Sequence, residues 1–132
     1  PEVVAIDNFP REIVVIARVR ETEPIAVNER ETETLFAGLN DVRNRLMALK
    51  ESSMAVLGTT VNATFVDAVL GNRLTVFADE NEARIGSTFR GKQVVCPGNL
   101  TEENLLILPF GDSGQQIVKR MSSRTRAALM AV

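Results

Sequence analysis

The chain contains no histidine, no tryptophan and no tyrosine, and its only cysteine is Cys96. Each absence removes a class of chemistry. Without histidine, neither a Ser-His-Asp nor a Cys-His nucleophile pair can be assembled within one chain. With one thiol and no imidazole, a zinc site of the usual Cys/His type is excluded, and so is an intrachain disulfide. Base stacking on Trp or Tyr is unavailable, which leaves six Phe and the Arg side chains for that role. No apolar run approaches the ~18–20 residues of a membrane span. The phosphate-binding motifs G-x-x-x-x-G-K-[ST] and G-x-G-x-x-G are both missing. The N-terminus lacks the basic-then-apolar pattern of a secretory leader, so a cytosolic origin is expected, with Cys96 reduced.

What is present is ordinary for a globular protein. The 132 residues are 45% hydrophobic and 24% charged, which predicts a single domain over 1–132. Fifteen Lys and Arg against seventeen Asp and Glu give a net charge of -2, with no global nucleic-acid footprint. The balance is uneven: ten acids and seven bases over residues 1–58, seven acids and eight bases over 59–132. The end of the chain holds Lys119, Arg120, Arg124 and Arg126 without an acid among them. Such a run suits a helix C-terminus, where cations meet the dipole; docking onto nucleic acid or a partner is the sharper alternative.

Hydrophobic spacing sets out the elements. Residues 11–20 are rich in β-branched side chains and predict a strand; Glu23-Pro24 breaks it, and Ile25-Ala26-Val27 forms a short second one. Asn28 with Glu31 three residues on has the form of a capping box. Leu35, Leu39, Val42, Leu46 and Leu49 then follow at steps of four and three, on one stripe of a helix covering roughly 29–53. A helix lying on a sheet accounts for that stripe; pairing of helices between subunits is the alternative. From residue 59 the apolar residues Val61, Ala63 and Phe65 alternate with polar ones, as in a strand. Leu70-Gly71-Asn72-Arg73 reads as a hairpin turn and Leu74–Ala78 as its return strand. Further strands are expected at Ala83–Ser87, Lys92–Cys96 and Leu105–Phe110, and a last helix after Gly111-Asp112-Ser113-Gly114. The fold class is therefore α+β: an antiparallel sheet of about five or six strands, one long helix and a C-terminal helix.

Few residues form a chemical constellation. The turn Asp79-Glu80-Asn81-Glu82 has oxygen ligands but neither the length nor the spacing of a calcium loop, and reads as a solvated hairpin tip. Glu102 and Glu103 follow the helix-capping Thr101 and suit a first turn rather than catalysis. No metal and no cofactor is expected. Removal of an initiator Met before Pro1 is expected; the secondary amine it would free can serve as base or nucleophile if burial lowers its pKa. In that one residue the chain resembles the tautomerase superfamily. Thr60, Asn62, Thr64, Arg73, Thr75, Arg84, Thr88, Arg90 and Lys92 are polar positions on the expected strands. If they share a face, that face can contact RNA phosphates and unstacked bases; otherwise it is the solvated side of a half-buried sheet.

The segment Asn104-Leu105-Leu106-Ile107-Leu108-Pro109-Phe110, followed by Gly111-Asp112-Ser113 and Ile117-Val118-Lys119-Arg120-Met121, resembles the last strand and first helix of single-stranded RNA phage coat proteins. That resemblance implies dimers with a continuous sheet, a closed shell, and an inward sheet face on genomic RNA, with the polar strand positions above as its contacts. It also implies that Ile117, Val118 and Met121 bury themselves against a neighbouring subunit. The long helix at 29–53 departs from that family, where a β-hairpin precedes the sheet. The expected function is a self-assembling structural subunit, a virion coat protein without enzymatic activity, whose partners are itself and genomic RNA and not a membrane. The alternative is a small-molecule enzyme or binding module using the Pro1 amine.

Overall fold

The computed structural model describes residues 29–132 in full and, of the first 28, the backbone of two strands. The chain divides into two compact units, Pro1–Glu33 and Thr34–Val132. In the first, β1 (Glu2–Phe9) and β2 (Glu12–Arg18) pair antiparallel from Glu2↔Arg18 to Phe9↔Glu12, with an irregularity between Val3 and Ala5. The strand expected over 11–20 is present as β2. Pro1, Ile25-Ala26-Val27 and the cap Asn28 lie outside the described residues.

Helix α1 (Glu29–Ala48) stops short of the expected residue 53. Glu29 and Glu31 in its first turn and Arg45 in its last complement the helix dipole, and Arg45 reaches Asp41 at 3.3 Å one turn back. Its apolar stripe divides in two. Leu46 is fully buried, with Val42 and Leu49 packed beside it, whereas Leu35 and Phe36 are 63% and 60% exposed.

The second unit is built on a six-stranded sheet. In chain order its elements are β3 (Met54–Leu57), α2 (Val61–Leu70), β4 (Leu74–Ala78), β5 (Thr88–Phe89), β6 (Lys92–Val95), β7 (Leu105–Leu108), α3 (Gly114–Met121) and β8 (Ala128–Ala131). The strand order is β5-β6-β4-β3-β7-β8. Helices and a six-stranded sheet were expected; an antiparallel sheet was not what formed. Within this sheet only β5 and β6 pair antiparallel, and the other four pairings are parallel. The physical reason lies in the connections. Parallel neighbours need a crossover, commonly a helix, and residues 61–70 supply one.

Those residues were expected as a strand because Val61, Ala63 and Phe65 alternate. The buried set is instead Ala63, Val66, Asp67 and Leu70, spaced three, one and three, which is a helical face. Gly71, at φ 57°, ends the helix; it is not the centre of a hairpin. Residues 83–87 form turns rather than a strand; Lys119 and Arg120 lie in the last turn of α3, Arg124 and Arg126 follow it, and the chain then adds β8.

β3 and β7 are buried on both faces along their whole length, as their unbroken apolar runs Met-Ala-Val-Leu and Leu-Leu-Ile-Leu require of central parallel strands. On one face, Met54, Val56, Phe77 and Ile107 pack with Leu46 of α1 and with Ala63, Val66 and Leu70 of α2. Phe89 of β5 meets Phe77 edge-on at 5.0 Å between ring centres. On the other face, Ala55, Leu57, Ala78, Leu106 and Leu108 pack under Met121, Ile117 and Val118 of α3. The register shift between Met54 and Ala55 leaves Thr75 as an extra residue in β4, and its hydroxyl donates to Met54 O at 2.9 Å. No described helix is long and apolar enough to cross a membrane.

Candidate small-molecule site at the carboxyl edge of the sheet

The strand order places one strand, β3, at the centre. The chain first moves to one side of it, through β4 to β6, then returns to lay β7 and β8 on the other side. Numbered along the parallel strands alone, this is the order 3-2-1-4-5 of a doubly wound nucleotide-binding sheet. In open parallel sheets of this kind, ligands bind outside the carboxyl ends of the strands, where the order reverses. Here that reversal lies between β3 and β7.

Backbone hydrogen bonds carry the ladder past the strand ends and fix the loops at this edge. Gly58 N–H donates to Ala78 O at 2.6 Å, Asp79 N–H to Val95 O at 3.0 Å, and Val132 N–H to Leu108 O at 3.1 Å. Gly58 adopts φ +87°, a conformation that turns the chain sharply from β3 into α2 and that glycine takes without steric cost. Thr60 caps α2 in an extended conformation, with no side-chain capping bond. Asn62, in the first turn, donates to Pro109 O at 3.0 Å and ties α2 to the loop after β7. Between them opens an apolar crevice of ≈ 330 Å³, walled by Leu39, Val42, Val61, Phe65, Pro109 and Val132.

Asp79, the first residue after β4, is buried. Its Oδ2 accepts from the Thr59 hydroxyl at 3.0 Å, although Thr59 lies 20 residues earlier in the turn after β3. Its Oδ1 accepts from Asn81 N–H at 2.9 Å. Arg84 approaches Oδ2 at 3.6 Å and also donates to the Thr59 hydroxyl. Arg84 is brought there by successive turns: Ala83 N–H donates to Asn81 Oδ1, and Arg84 N–H to Asn81 O. The turn expected as a solvated hairpin tip is thus an ordered loop that begins with a buried carboxylate. An ionised carboxylate has about four acceptor positions, so Asp79 retains room for a further hydroxyl donor.

The sequence-predicted residues separate into groups and do not share a sheet face. Thr60, Asn62 and Thr64 are on α2, the first two at its N-terminal end. Arg84 and Thr88 border one pocket beside Asp79. Arg90 and Lys92 both bind Asp67 of α2, at 2.6 and 2.7 Å. Arg73 donates to Leu49 O, and Thr75 fills the β4 bulge. At the chain's basic end, Arg120 and Arg124 both pair with Glu80, at 2.5 and 2.8 Å. Met121 is fully buried in its own unit's core, with Ile117 and Val118 half-buried beside it.

Thr59 escaped the sequence reading, and Asp79 entered it only as part of a polar turn. The signal was an unbroken apolar run ending in glycine, Met54–Gly58, followed by a second strand ending in an acid. Gly58, Thr60 and Ala63 occupy the three glycine positions of the dinucleotide fingerprint, with Thr at the second and Ala at the third. Ala63 is buried where close helix–strand packing requires a small residue. Among the described residues, no group of three or more His, Cys, Asp or Glu is placed to hold a metal ion. No protein-family model, curated protein or solved structure matches this chain.

Proposed function

We propose that the second unit is a small-molecule binding domain that takes a ribonucleoside-type ligand at the carboxyl edge of its sheet. The observation that carries this reading is Asp79. A buried carboxylate at the end of the second parallel strand, bonded to the turn after the first, stands where doubly wound domains hold ribose hydroxyls. Its free acceptor capacity suits a hydroxyl donor, and the apolar crevice at the order reversal suits an uncharged ring or chain. Thr60 refines the ligand class. The second fingerprint glycine allows a pyrophosphate to approach the backbone; a threonine side chain in its place favours a ligand without a pyrophosphate at that turn.

Titration of the full chain with adenosine, guanosine and 2′,3′-dideoxyadenosine by calorimetry tests the reading. A ribonucleoside is expected to bind, the dideoxy compound to bind roughly tenfold or more weakly, and Asp79→Asn to remove most of that difference, as expected for a hydrogen bond to a charged group. Equal affinity for the ribo and dideoxy compounds, or no binding of either, overturns it.

We infer self-assembly as a second reading, because α1 carries exposed apolar side chains that its own sheet does not cover: Leu35, Phe36 and Met47. A second copy pairing through this helix buries them. Light scattering at micromolar concentration is expected to give a dimer or larger species that Leu35→Glu with Phe36→Glu dissociates. A monomeric wild type rejects this reading.

A further inference from the structure

The pocket bordered by Thr59, Arg84, Ser87, Thr88 and Phe89 lies on the β5 side of Asp79, has a volume of ≈ 240 Å³ and is open to solvent. Its lining contains three hydroxyls, one guanidinium, one aromatic ring and no acid. Arg84 uses one of its amino groups on Thr59 and Asp79. A guanidinium offers five N–H donors in a fixed fork, so most of that fork remains unused, and the Arg84 side chain is 49% exposed. The Thr88 hydroxyl has no hydrogen-bond partner among the described residues. Asp79 Oδ2 contacts both, at 3.0 Å from the Thr59 hydroxyl and 3.6 Å from Arg84, and so orients them. The loop from Asp79 to Ser87 is held by hydrogen bonds within it and to β6, including Ser87 Oγ to Arg84 O at 2.6 Å and Gly86 N–H to Val94 O of β6 at 2.8 Å. The cation is therefore held in place before any ligand arrives, and planar bidentate recognition of tetrahedral oxyanions is what arginine does best.

We propose that this pocket is a phosphoryl subsite, and that the ligand held at Asp79 carries a phosphomonoester on its sugar, directed toward Arg84 and Thr88. This rests on the ribonucleoside reading for the identity of the ligand, but the subsite itself is assigned from the Arg84 pocket. The arrangement separates two tasks. Asp79 accepts from a sugar hydroxyl, and Arg84, one residue layer further out, neutralises the phosphoryl charge that would otherwise meet the carboxylate. It also agrees with Thr60 at the α2 turn: the anion is accommodated beside β5 rather than at the helix N-terminus.

The test is calorimetric titration of the full chain with adenosine, adenosine 2′-monophosphate, adenosine 3′-monophosphate and inorganic phosphate, at low and high ionic strength. One of the two monophosphates is expected to bind roughly tenfold or more tightly than adenosine, since hydrogen bonds to charged groups contribute that much, and the advantage should shrink with salt. Arg84→Gln is expected to bring that affinity ratio close to one, and Arg84→Lys to restore only part of it. Thr88→Ala, at an exposed strand position, reads the same ratio without touching the Asp79 network, should Arg84→Gln fail to fold. Equal binding of adenosine and both monophosphates overturns the phosphoryl subsite and leaves the ribonucleoside reading standing. Arg84-dependent binding of inorganic phosphate with no nucleoside binding supports the subsite and overturns the ribonucleoside reading. No binding by any of the four overturns both.

Discussion

The ammonium of Lys92, at the start of β6, lies 2.7 Å from Asp67 Oδ1 on α2. The two residues are 25 positions apart, and the contact joins the crossover helix to the outer, antiparallel corner of the sheet. Arg90 completes it from the β5–β6 turn, with Nε at 2.6 Å from Asp67 Oδ2. Arg90 is also the one non-glycine residue with positive φ among those described, at 49°, so the ion pair holds a backbone conformation that side chains other than glycine disfavour.

Asp67 should therefore make stability depend on acid. Burial pushes its pKa up, but hydrogen bonds from Lys92 and Arg90 and their charges outweigh burial, and the carboxyl is held below its ordinary value. A carboxyl depressed in the folded state contributes stability above its unfolded pKa, about 3.9, and loses it as pH falls through the lower folded value. Urea unfolding at pH 7 is expected to show Asp67→Asn less stable by about 1.5–3 kcal/mol, the range for hydrogen bonds to charged groups. The gap between variant and wild type should close as pH drops below about 4. A gap that stays constant to pH 2.5 would reject the ion pair as its cause.

The divided stripe of α1 gives a contrast between two leucines seven-plus-four positions apart on one helix. Leu46→Ala removes a fully buried side chain and should cost about 2–5 kcal/mol. Leu35→Ala, at an exposed position, should change the stability of the isolated chain by less than about 0.5 kcal/mol. Comparable losses at both positions would mean that the upper stripe is packed.

Gly114 opens α3 against β8. A Cβ there would stand 2.8 Å from Ala131 Cβ, closer than side-chain carbons approach. Gly114→Ala is expected to destabilise by about 1–3 kcal/mol through overpacking. In an Ala131→Gly background the same change should be neutral or slightly stabilising, because alanine favours the helix. Additive effects in the double-mutant cycle would contradict the contact.

Gly58 tests the turn that feeds the candidate site. Space exists for a methyl group, since the nearest atom, Thr60 Cγ2, is 3.7 Å from an added Cβ, so the cost of Gly58→Ala is conformational. Thermal unfolding is expected to show a loss of about 1–2 kcal/mol from the positive φ. Ribonucleoside affinity should fall as well, because Thr59 is carried by the same turn. Unchanged stability would place the turn in an ordinary extended conformation.

Local and compositional features were legible in the order of residues alone. The absence of histidine and of paired thiols was decisive for the chemistries it excluded. The helical spacing from Leu35 to Leu49 located α1, and short apolar or β-branched runs located β2, β4, β6 and β7, because strand and helix periods are written in neighbouring residues. Spacing misled where a short window fits both periods: Val61, Ala63 and Phe65 alternate, while Ala63, Val66, Asp67 and Leu70 form the helical face that the sheet buries. That the sheet is mostly parallel emerged with the folded chain, because direction is set by the crossover and not by the strands. Folding alone brought Thr59 to Asp79 across 20 residues, and took Arg90 and Lys92 away from any shared face by giving both to Asp67. A buried carboxylate draws the nearest cations whatever their place in the sequence, because a charge removed from water must be paired.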